Sequence, residues 1–407
     1  MNSQQKDDVV VNMTQSPAKD PVTAKYRSAA DAIIKAGRID FPVSATFIEL
    51  LKAQLDEEDL EFIMMFKTRS SFSLDDMKKM TKLPEEEIDR RASKLAKKGF
   101  IFNQVGASGV KVYRLLPLEI VGAMEYTFMK PLPKDPEGMA KLKALADLYQ
   151  KLLVDLTDRI RKDFDQLAPT YQKQPPIDRT IPIYENVTGS AVNIEVNQQL
   201  QVQEQILPAL TVAEIINKFD DIAVGNCYCR QEQIVMGHKC GFNAPMESCF
   251  TFGKSARFTI AQGFARKIDK EEALKLLKAT EEAGCIHKVF HNGADIMKEE
   301  NSICNCCKDC CHTLVYWRRG GLPLININTY LAHVNQDGCT GCGTCVEKCP
   351  VDVISLNDDG KAEVNPSLCL GCGVCAHFCP ENTIVLQKGL RRAFAQPQVE
   401  RSTSSLR

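Results

Sequence analysis

Two segments near the C-terminal end share one spacing of cysteine residues, and this spacing decides the fold of that part of the chain. The first segment is CTGCGTCVEKCP at residues 339–350, and the second is CLGCGVCAHFCP at residues 369–380. Both have the form C-x2-C-x2-C-x3-C-P, and the second follows the first at an offset of 30 residues. The chain therefore contains an internal duplication whose repeated feature is four cysteines followed by a proline.

This spacing is typical of the loops that bind [4Fe–4S] clusters. Three cysteines at positions i, i+3 and i+6 of a tight loop can bind three irons of one cube. The glycines between them let backbone N–H groups approach the sulfurs. The fourth cysteine, which precedes the proline, binds the other cluster. This rule predicts the ligands Cys339, Cys342, Cys345 and Cys379 for cluster one, and Cys349, Cys369, Cys372 and Cys375 for cluster two.

Residues 335–387, which contain both motifs, resemble a bacterial-type two-cluster ferredoxin. The resemblance implies a pseudo-twofold β-α-β fold and one-electron transfer between two nearby clusters. Apolar residues at 351–356 and 384–386 can supply small strands and cover the clusters. The alternative is a pair of clusters that only stabilises the fold, but two cubes held close together favour electron transfer.

Ten further cysteines lie upstream, and all 18 cysteines fall between Cys227 and Cys379. Scattered core thiols would not be crowded in this way. The first twenty residues are polar and lack the features of a secretion signal, so we expect a cytoplasmic chain without a disulfide scaffold. Metal ligation is the interpretation that these arguments favour for the upstream cysteines.

The segment CNCCKDCC at residues 304–311 repeats part of the cluster-loop spacing. It predicts a third iron–sulfur cluster, whose candidate ligands are Cys304, Cys307, Cys310, Cys227, Cys229 and Cys249, with Cys240 as another source of the fourth ligand. Zinc is an alternative, since thiolates and the nearby His238, His287, His291 or His312 would suit it. A dithiol or persulfide redox site is the second alternative. Adjacent cysteines cannot all bind one metal, so some of the ten are spare or redox-active.

Residues 227–311 also resemble a region that precedes the ferredoxin domain in bacterial and archaeal 4Fe–4S-binding proteins. The similar stretches are CYCR at 227–230, CFTFG at 249–253, a helix at 269–284 with the Ile286-His287 that follows it, and ICNCC at 303–307. Where these proteins have a denser cysteine run, this chain has Lys308 and Asp309, so the resemblance does not define the ligands. It implies iron–sulfur electron transfer without naming a partner.

Residues 57–116 have the pattern of a winged helix. Helices are expected at 58–67, 74–80 and 84–98, the second opened by a capping box at Ser73, and a β-hairpin follows at 100–115. DNA binding is the obvious function of such a unit. However, the third helix begins with Glu85, Glu86 and Glu87, which phosphate would repel. A docking or structural role is therefore favoured over DNA binding.

The whole sequence predicts an α+β multidomain protein. The expected layout is disorder at 1–25, a helical lead-in and winged helix at 26–116, a helical connector at 117–170, a cysteine-rich domain at 181–325, a two-cluster ferredoxin domain at 330–390 and a tail at 391–407. A proline-rich linker is expected at 168–179. The net charge of −1 gives no general attraction to nucleic acid or membranes, and no apolar run is long enough for a membrane span.

No nucleotide-binding or hydrolase motif is present in the sequence. We therefore expect a carrier that passes low-potential single electrons to or from a partner oxidoreductase, rather than a free-standing enzyme. One alternative is a redox-responsive transcription regulator that uses the winged helix. The other is an iron–sulfur reductase whose active site is the upstream cysteine cluster.

Overall fold

A computed structural model describes residues 21–37, 39–106, 109–174, 176, 178–183, 187–191, 211–292 and 298–396. Three predicted features lie outside these residues: the disorder at 1–20, part of the hairpin turn at 107–108 and the end of the tail at 397–407. None of the described helices is long and apolar enough to cross a membrane.

The N-terminal part is a helical layer with a small sheet. Its elements are α1 (Pro21–Ala36), α2 (Ala45–Gln54), α3 (Glu57–Met64) with a 3-10 turn at Met65–Lys67, β1 (Ser71–Ser73), α4 (Leu74–Thr81), α5 (Glu85–Lys97), β2 (Ile101–Val105) and β3 (Lys111–Leu115). The antiparallel strands lie in the order β1-β3-β2. The predicted disorder at 21–25 is wrong, because these residues begin α1, which packs on α2 and α3.

Local capping explains where these helices begin. The Ser73 and Asp76 side chains form the predicted capping box of α4, and Pro84 precedes α5. The predicted helices and hairpin are present, while the assignment of residues 57–116 as a winged helix stays a prediction. Several basic residues of α5 are bound by acidic residues at the start of α3: Arg90 and Arg91 pair with Glu58, and Lys94 pairs with Asp56, the N-cap residue.

Two helices form the connector: α6 (Ala123–Met129) and α7 (Pro136–Lys173). The predicted linker at 168–179 is wrong, because α7 continues past Pro169 to Lys173. Proline removes one backbone hydrogen bond from a helix. Leu167 and Tyr171, which flank this proline, pack against the N-terminal core, and this packing offsets the lost bond.

The C-terminal half is built on a large sheet. Its strands are β4 (Asp178–Ile181), β5 (Val187–Ala191), β6 (Ile222–Asn226), β7 (Glu247–Phe252), β8 (Arg266–Ile268), β9 (Ile286–His291), β10 (Glu300–Cys306), β11 (Leu324–Val334) and β14 (Ile384–Ala395). Among the described residues the strand order is β5-β14-β11-β4-β9-β10-β7-β6-β8. The helices of this half are α8 (Val212–Lys218), α9 (Tyr228–Val235), α10 (Gly253–Ala261), α11 (Lys270–Glu282), α12 (His312–Arg318), α13 (Thr344–Lys348) and α14 (Val374–His377). A separate hairpin joins β12 (Ile354–Leu356) and β13 (Ala362–Val364).

The predicted boundary at 325–330 falls inside strand β11. This strand pairs with β14 over its whole length and with β4 on its other side. The cysteine-rich and C-terminal regions therefore share one sheet and are not separated by a linker. Residues 391–395, which we predicted as part of the tail, belong to β14 for the same reason.

Candidate metal centres

The first C-terminal cavity is lined by the four cysteines predicted for cluster one: Cys339, Cys342, Cys345 and Cys379. The loop that carries the first three turns at Gly341, where φ is +70° and a Cβ would collide with the carbonyl oxygen of Gly360. The backbone N–H of Ala362 lies 3.4 Å from Cys339 Sγ and donates to it. Cys342 is exposed, so this cavity lies at the protein surface.

The second cavity is lined by the four cysteines predicted for cluster two: Cys349, Cys369, Cys372 and Cys375. All four are buried, and burial raises the pKa of both Cys372 and Cys375. The N–H groups of Val353 and Gly371 donate to Cys349 and Cys369, at 3.5 and 3.4 Å. Four thiol groups around a cavity, with backbone donors aimed at the sulfurs, fit the surroundings that a [4Fe–4S] cluster requires.

A compact group of three thiols and one carboxylate lies in the upstream region. The ligand atoms of Cys240, Cys307, Asp309 and Cys310 are all within 4.8 Å of one another. Cys240 lies between α9 and β7, and the other three lie between β10 and α12. The structure thus brings together two of the predicted third-site residues, Cys307 and Cys310, with Cys240 as the third thiol.

Cys304 is not part of this group, so the predicted loop of Cys304, Cys307 and Cys310 is not formed. Cys304 lies inside strand β10, directly opposite Cys249 of β7. Cys307 follows the end of β10 and packs with Cys240 and Cys310 in a different cluster of buried side chains. The extended backbone of β10 therefore separates residues that a tight loop would have brought together.

Six other upstream cysteines form a row in which each thiol is near enough to the next to shift its pKa. We call this set the cysteine row: Cys227, Cys229, Cys311, Cys306, Cys304 and Cys249. Cys227 and Cys311 stand immediately before α9 and α12. The hydrogen bond from Cys229 lowers the pKa of Cys227 to about 6. None of the 18 cysteines, all of which lie in described residues, forms a disulfide.

Three of the four histidines considered as zinc ligands form hydrogen bonds to oxygen atoms instead. His287 Nδ1 lies 2.6 Å from Asn305 Oδ1, and His291 Nδ1 lies 2.7 Å from the carbonyl oxygen of Lys298. His312 Nε2 lies 3.0 Å from Glu232 Oε2. Burial lowers the pKa of His312, but Glu232 and Glu119 outweigh burial and raise it to about 10.

A cavity of about 150 Å³ lies between the helical connector and the large sheet. Its lining includes Cys249 and Cys304 at the end of the cysteine row, and the buried ion pair of Lys288 with Asp178 (2.7 Å). Glu119 Oε2 and Asp178 Oδ1 are buried there without a hydrogen-bond partner among the described residues. Sequence reasoning missed this cavity, because its polar residues come from elements far apart in the chain.

One wall of the cavity is a strained turn. Ile120 and Val121 have φ values of +68° and +63°, which β-branched residues rarely adopt. The Glu125 carboxylate accepts the N–H groups of Ile120, Val121 and Gly122 and so holds the turn. Burial raises the pKa of Glu125 to about 7.

Comparison with known proteins identifies the C-terminal segment. Residues 332–386 match the family model of the 4Fe-4S dicluster domain. A curated "Probable ferredoxin" of Methanosarcina thermophila is 66% identical over 32 residues, which are 8% of this chain and 55% of the ferredoxin. The chain therefore spans about half the length of that relative. No solved structure shows significant similarity to the chain.

These matches confirm the predicted resemblance to a two-cluster ferredoxin at the C-terminus. This segment is a 4Fe–4S domain that carries two [4Fe–4S] clusters, and the chain around it is a mixed helix and sheet protein with a cysteine-rich region. A domain of this ferredoxin type supports a role in electron transfer.

Proposed function

We propose that this protein carries low-potential single electrons to or from a partner oxidoreductase. The observation that carries the proposal is the different exposure of the two cysteine quartets. Cys342 of the first quartet reaches the surface, whereas the whole second quartet is buried. A surface cluster can exchange electrons with a docked partner, and a buried cluster next to it can pass them into the protein.

The two ligand sets follow from the motif rule. Cluster one is bound by Cys339, Cys342, Cys345 and Cys379, and cluster two by Cys349, Cys369, Cys372 and Cys375. The cavities that these quartets line support the assignment, as do the backbone donors to Cys339, Cys349 and Cys369. We expect potentials in the region of about −400 mV, where plant-type ferredoxins lie.

The inner end of the proposed route is the cysteine row. Cys306 and Cys311 pack in the same buried core as Cys349 and Cys372 of the second quartet. We place the third cluster in this row rather than on the predicted loop of Cys304, Cys307 and Cys310, because three thiols of the row, those of Cys304, Cys306 and Cys311, pack against the core of cluster two. Electrons would then pass from the surface through cluster two to the cysteine-rich region, or in the reverse direction.

The test is a redox titration of the anaerobically purified full chain. Dithionite should produce the EPR signals of the reduced [4Fe–4S]⁺ clusters, and an excess of an oxidised viologen of higher potential should take the electrons back one at a time. Cys342→Ser should change only one of the two signals, because this residue lines only the surface cavity. Clusters that dithionite cannot reduce, or that do not react with the viologen, would show a purely structural role.

The 150 Å³ cavity favours a second candidate, an iron–sulfur reductase with its active site at the cysteine row. Cys249 and Cys304 line this cavity together with Lys288, so a small polar molecule bound there would lie beside the proposed third cluster. Cyanide is a suitable probe of an open iron position. A cyanide-induced change in the EPR signal of an upstream cluster would support the reductase, and an unchanged spectrum would leave only the carrier.

A further inference from the structure

Cys240, Cys307, Cys310 and Asp309 form a group that the ferredoxin motifs do not include. We infer that these four residues bind one zinc ion, with three thiolates and one carboxylate oxygen as ligands. The site would tie the segment after α9 to the segment between β10 and α12. The inference rests on spacing, on charge and on a hydrogen bond that holds the carboxylate in place.

The spacing agrees with a single tetrahedral ion. A Zn–S bond of about 2.3 Å and tetrahedral angles place two sulfurs about 3.8 Å apart, and a sulfur and an oxygen about 3.6 Å apart. Cys240 Sγ lies 3.9 Å from Cys307 Sγ. Asp309 Oδ1 lies 3.6 Å from the sulfur of Cys240, as zinc would place it, and 3.1 and 3.2 Å from the sulfurs of Cys307 and Cys310. The two shorter pairs would open by about 0.4–0.5 Å around an ion.

The ferredoxin quartets provide a comparison within the same molecule. We call Cys240, Cys307, Asp309 and Cys310 the Cys240 group. Among the described residues, it is the one set of three or more Cys, His, Asp or Glu side chains whose ligand atoms all lie within 4.8 Å of one another. The quartets that line the cluster cavities are more widely spaced, as expected when each thiolate binds a different iron of a cube. The spacing of the Cys240 group therefore suits one ion better than a cluster.

A buried positive charge lies beside the group. The guanidinium of Arg230 is buried and interacts electrostatically with Cys227 of the cysteine row and with Cys307 of this group. It forms no ion pair with a carboxylate of the described residues, and its Nε and Nη2 atoms have no hydrogen-bond partner there. A buried cation without a counter-charge is costly, and metal-bound thiolates beside it would offset that cost. Thiolates are ligands of both zinc and iron–sulfur clusters, and the single-ion spacing is what favours zinc here.

The carboxylate is already oriented for binding. The backbone N–H of Gly241 donates to Asp309 Oδ2 at 2.5 Å, which leaves Oδ1 facing the three sulfurs. Lys308, within the same segment, pairs with Asp352 at 2.7 Å and donates to the carbonyl oxygen of Glu347 at 2.9 Å. A zinc ion here would therefore also steady the contact between the cysteine-rich region and the ferredoxin domain.

The test is metal analysis and zinc X-ray absorption on the anaerobically purified full chain. We expect about one zinc per chain besides the iron, with three sulfurs at about 2.3 Å, one oxygen at about 2.0–2.2 Å and no iron neighbour. Cys240→Ser should lose the zinc and keep the iron of the ferredoxin clusters. Asp309→Cys should keep the zinc and change its shell to four sulfurs.

Cys285→Ser is the matched control, because Cys285 is buried against the same group but is not one of its four ligands. It should keep the zinc. The inference would be overturned in favour of a cluster by two results together: the native protein contains no zinc, and Cys240→Ser loses about four irons. A single iron at the site would overturn the choice of metal. If Cys240→Ser fails to fold, the sulfur and oxygen shell of the native protein still decides between these outcomes.

Discussion

Cys249 of β7 lies directly opposite Cys304 of β10, and both side chains line the 150 Å³ cavity. This pair is the end of the cysteine row, whose other end stands before helix α9. The row therefore connects the buried core around cluster two with a cavity that can hold a small molecule. That connection is the structural basis for placing the third cluster in the row.

If the proposed third cluster is present, we expect about 12 iron atoms per chain, whereas the two ferredoxin clusters alone would give about 8. Cys311→Ser interrupts the row near its centre, because the Cys311 thiol interacts with those of both Cys229 and Cys306. We expect this variant to lose about four irons while the two ferredoxin EPR signals remain. Iron and sulfide analysis checks the loss, and native protein with about 8 irons would contradict a third cluster.

Gly371 is expected to be essential for cluster two. A Cβ at this position would collide with the carbonyl oxygen of Tyr330, and φ is +64°. Gly343→Ala is the matched control, because Gly343 also has a positive φ, +77°, but no atom within 4 Å of the added Cβ. Backbone strain alone costs about 1–2 kcal/mol, and a clash adds about 1–3 kcal/mol.

Gly371→Ala should therefore lose the irons of cluster two and melt at a clearly lower temperature than Gly343→Ala. Iron analysis and thermal unfolding followed by circular dichroism measure both effects. Equal iron content and equal melting temperatures in the two variants would show that the loop around Gly371 has room to rearrange.

The ferredoxin clusters could be predicted from the sequence because their ligands repeat within short loops. The loop spacing alone places Cys339, Cys342 and Cys345 around one cavity, and the family rule adds Cys379. The same kind of local chemistry made the α4 capping box predictable from Ser73 and Asp76. Such features depend on residues a few positions apart, which a sequence shows directly.

The upstream sites could not be predicted because they depend on long-range pairing. Cys240 meets Cys307 across 67 residues, and only the pairing of β7 with β10 brings their segments together. Strand β11 likewise carries no local sign that it joins two regions in one sheet. Asp309 was visible as a departure from a cysteine run, but its position beside three thiols required the fold.

DNA binding by α5 is expected to be absent. Arg90, Arg91 and Lys94 are already bound by acidic residues at the start of α3, and the helix begins with three glutamates. Phosphate contacts would have to displace these ion pairs. We expect no retardation of duplex DNA at about 0.15 M salt in either oxidation state of the clusters. Retardation that depends on cluster oxidation would instead support the transcription regulator.

Glu125 should make stability depend on pH near neutrality. Burial raises its pKa from 4.5 to about 7 in the folded protein, so the folded state binds a proton more tightly than the unfolded state. This contribution to stability is full below about pH 4.5 and is lost as the pH rises through about 7. A shift of this size corresponds to roughly 3 kcal/mol.

The comparison is between the native chain and Glu125→Gln, which cannot ionise. Denaturant unfolding at pH 5.5 and 8.5 should show a loss of stability with rising pH in the native chain and a smaller loss in the variant. Glu137→Gln is the control, because Glu137 is exposed and pairs with the equally exposed Lys141 in the first turns of α7. It should behave as the native chain does. If all three proteins lose the same stability between pH 5.5 and 8.5, Glu125 is already ionised in the folded state. Its three backbone hydrogen bonds would then outweigh the effect of burial.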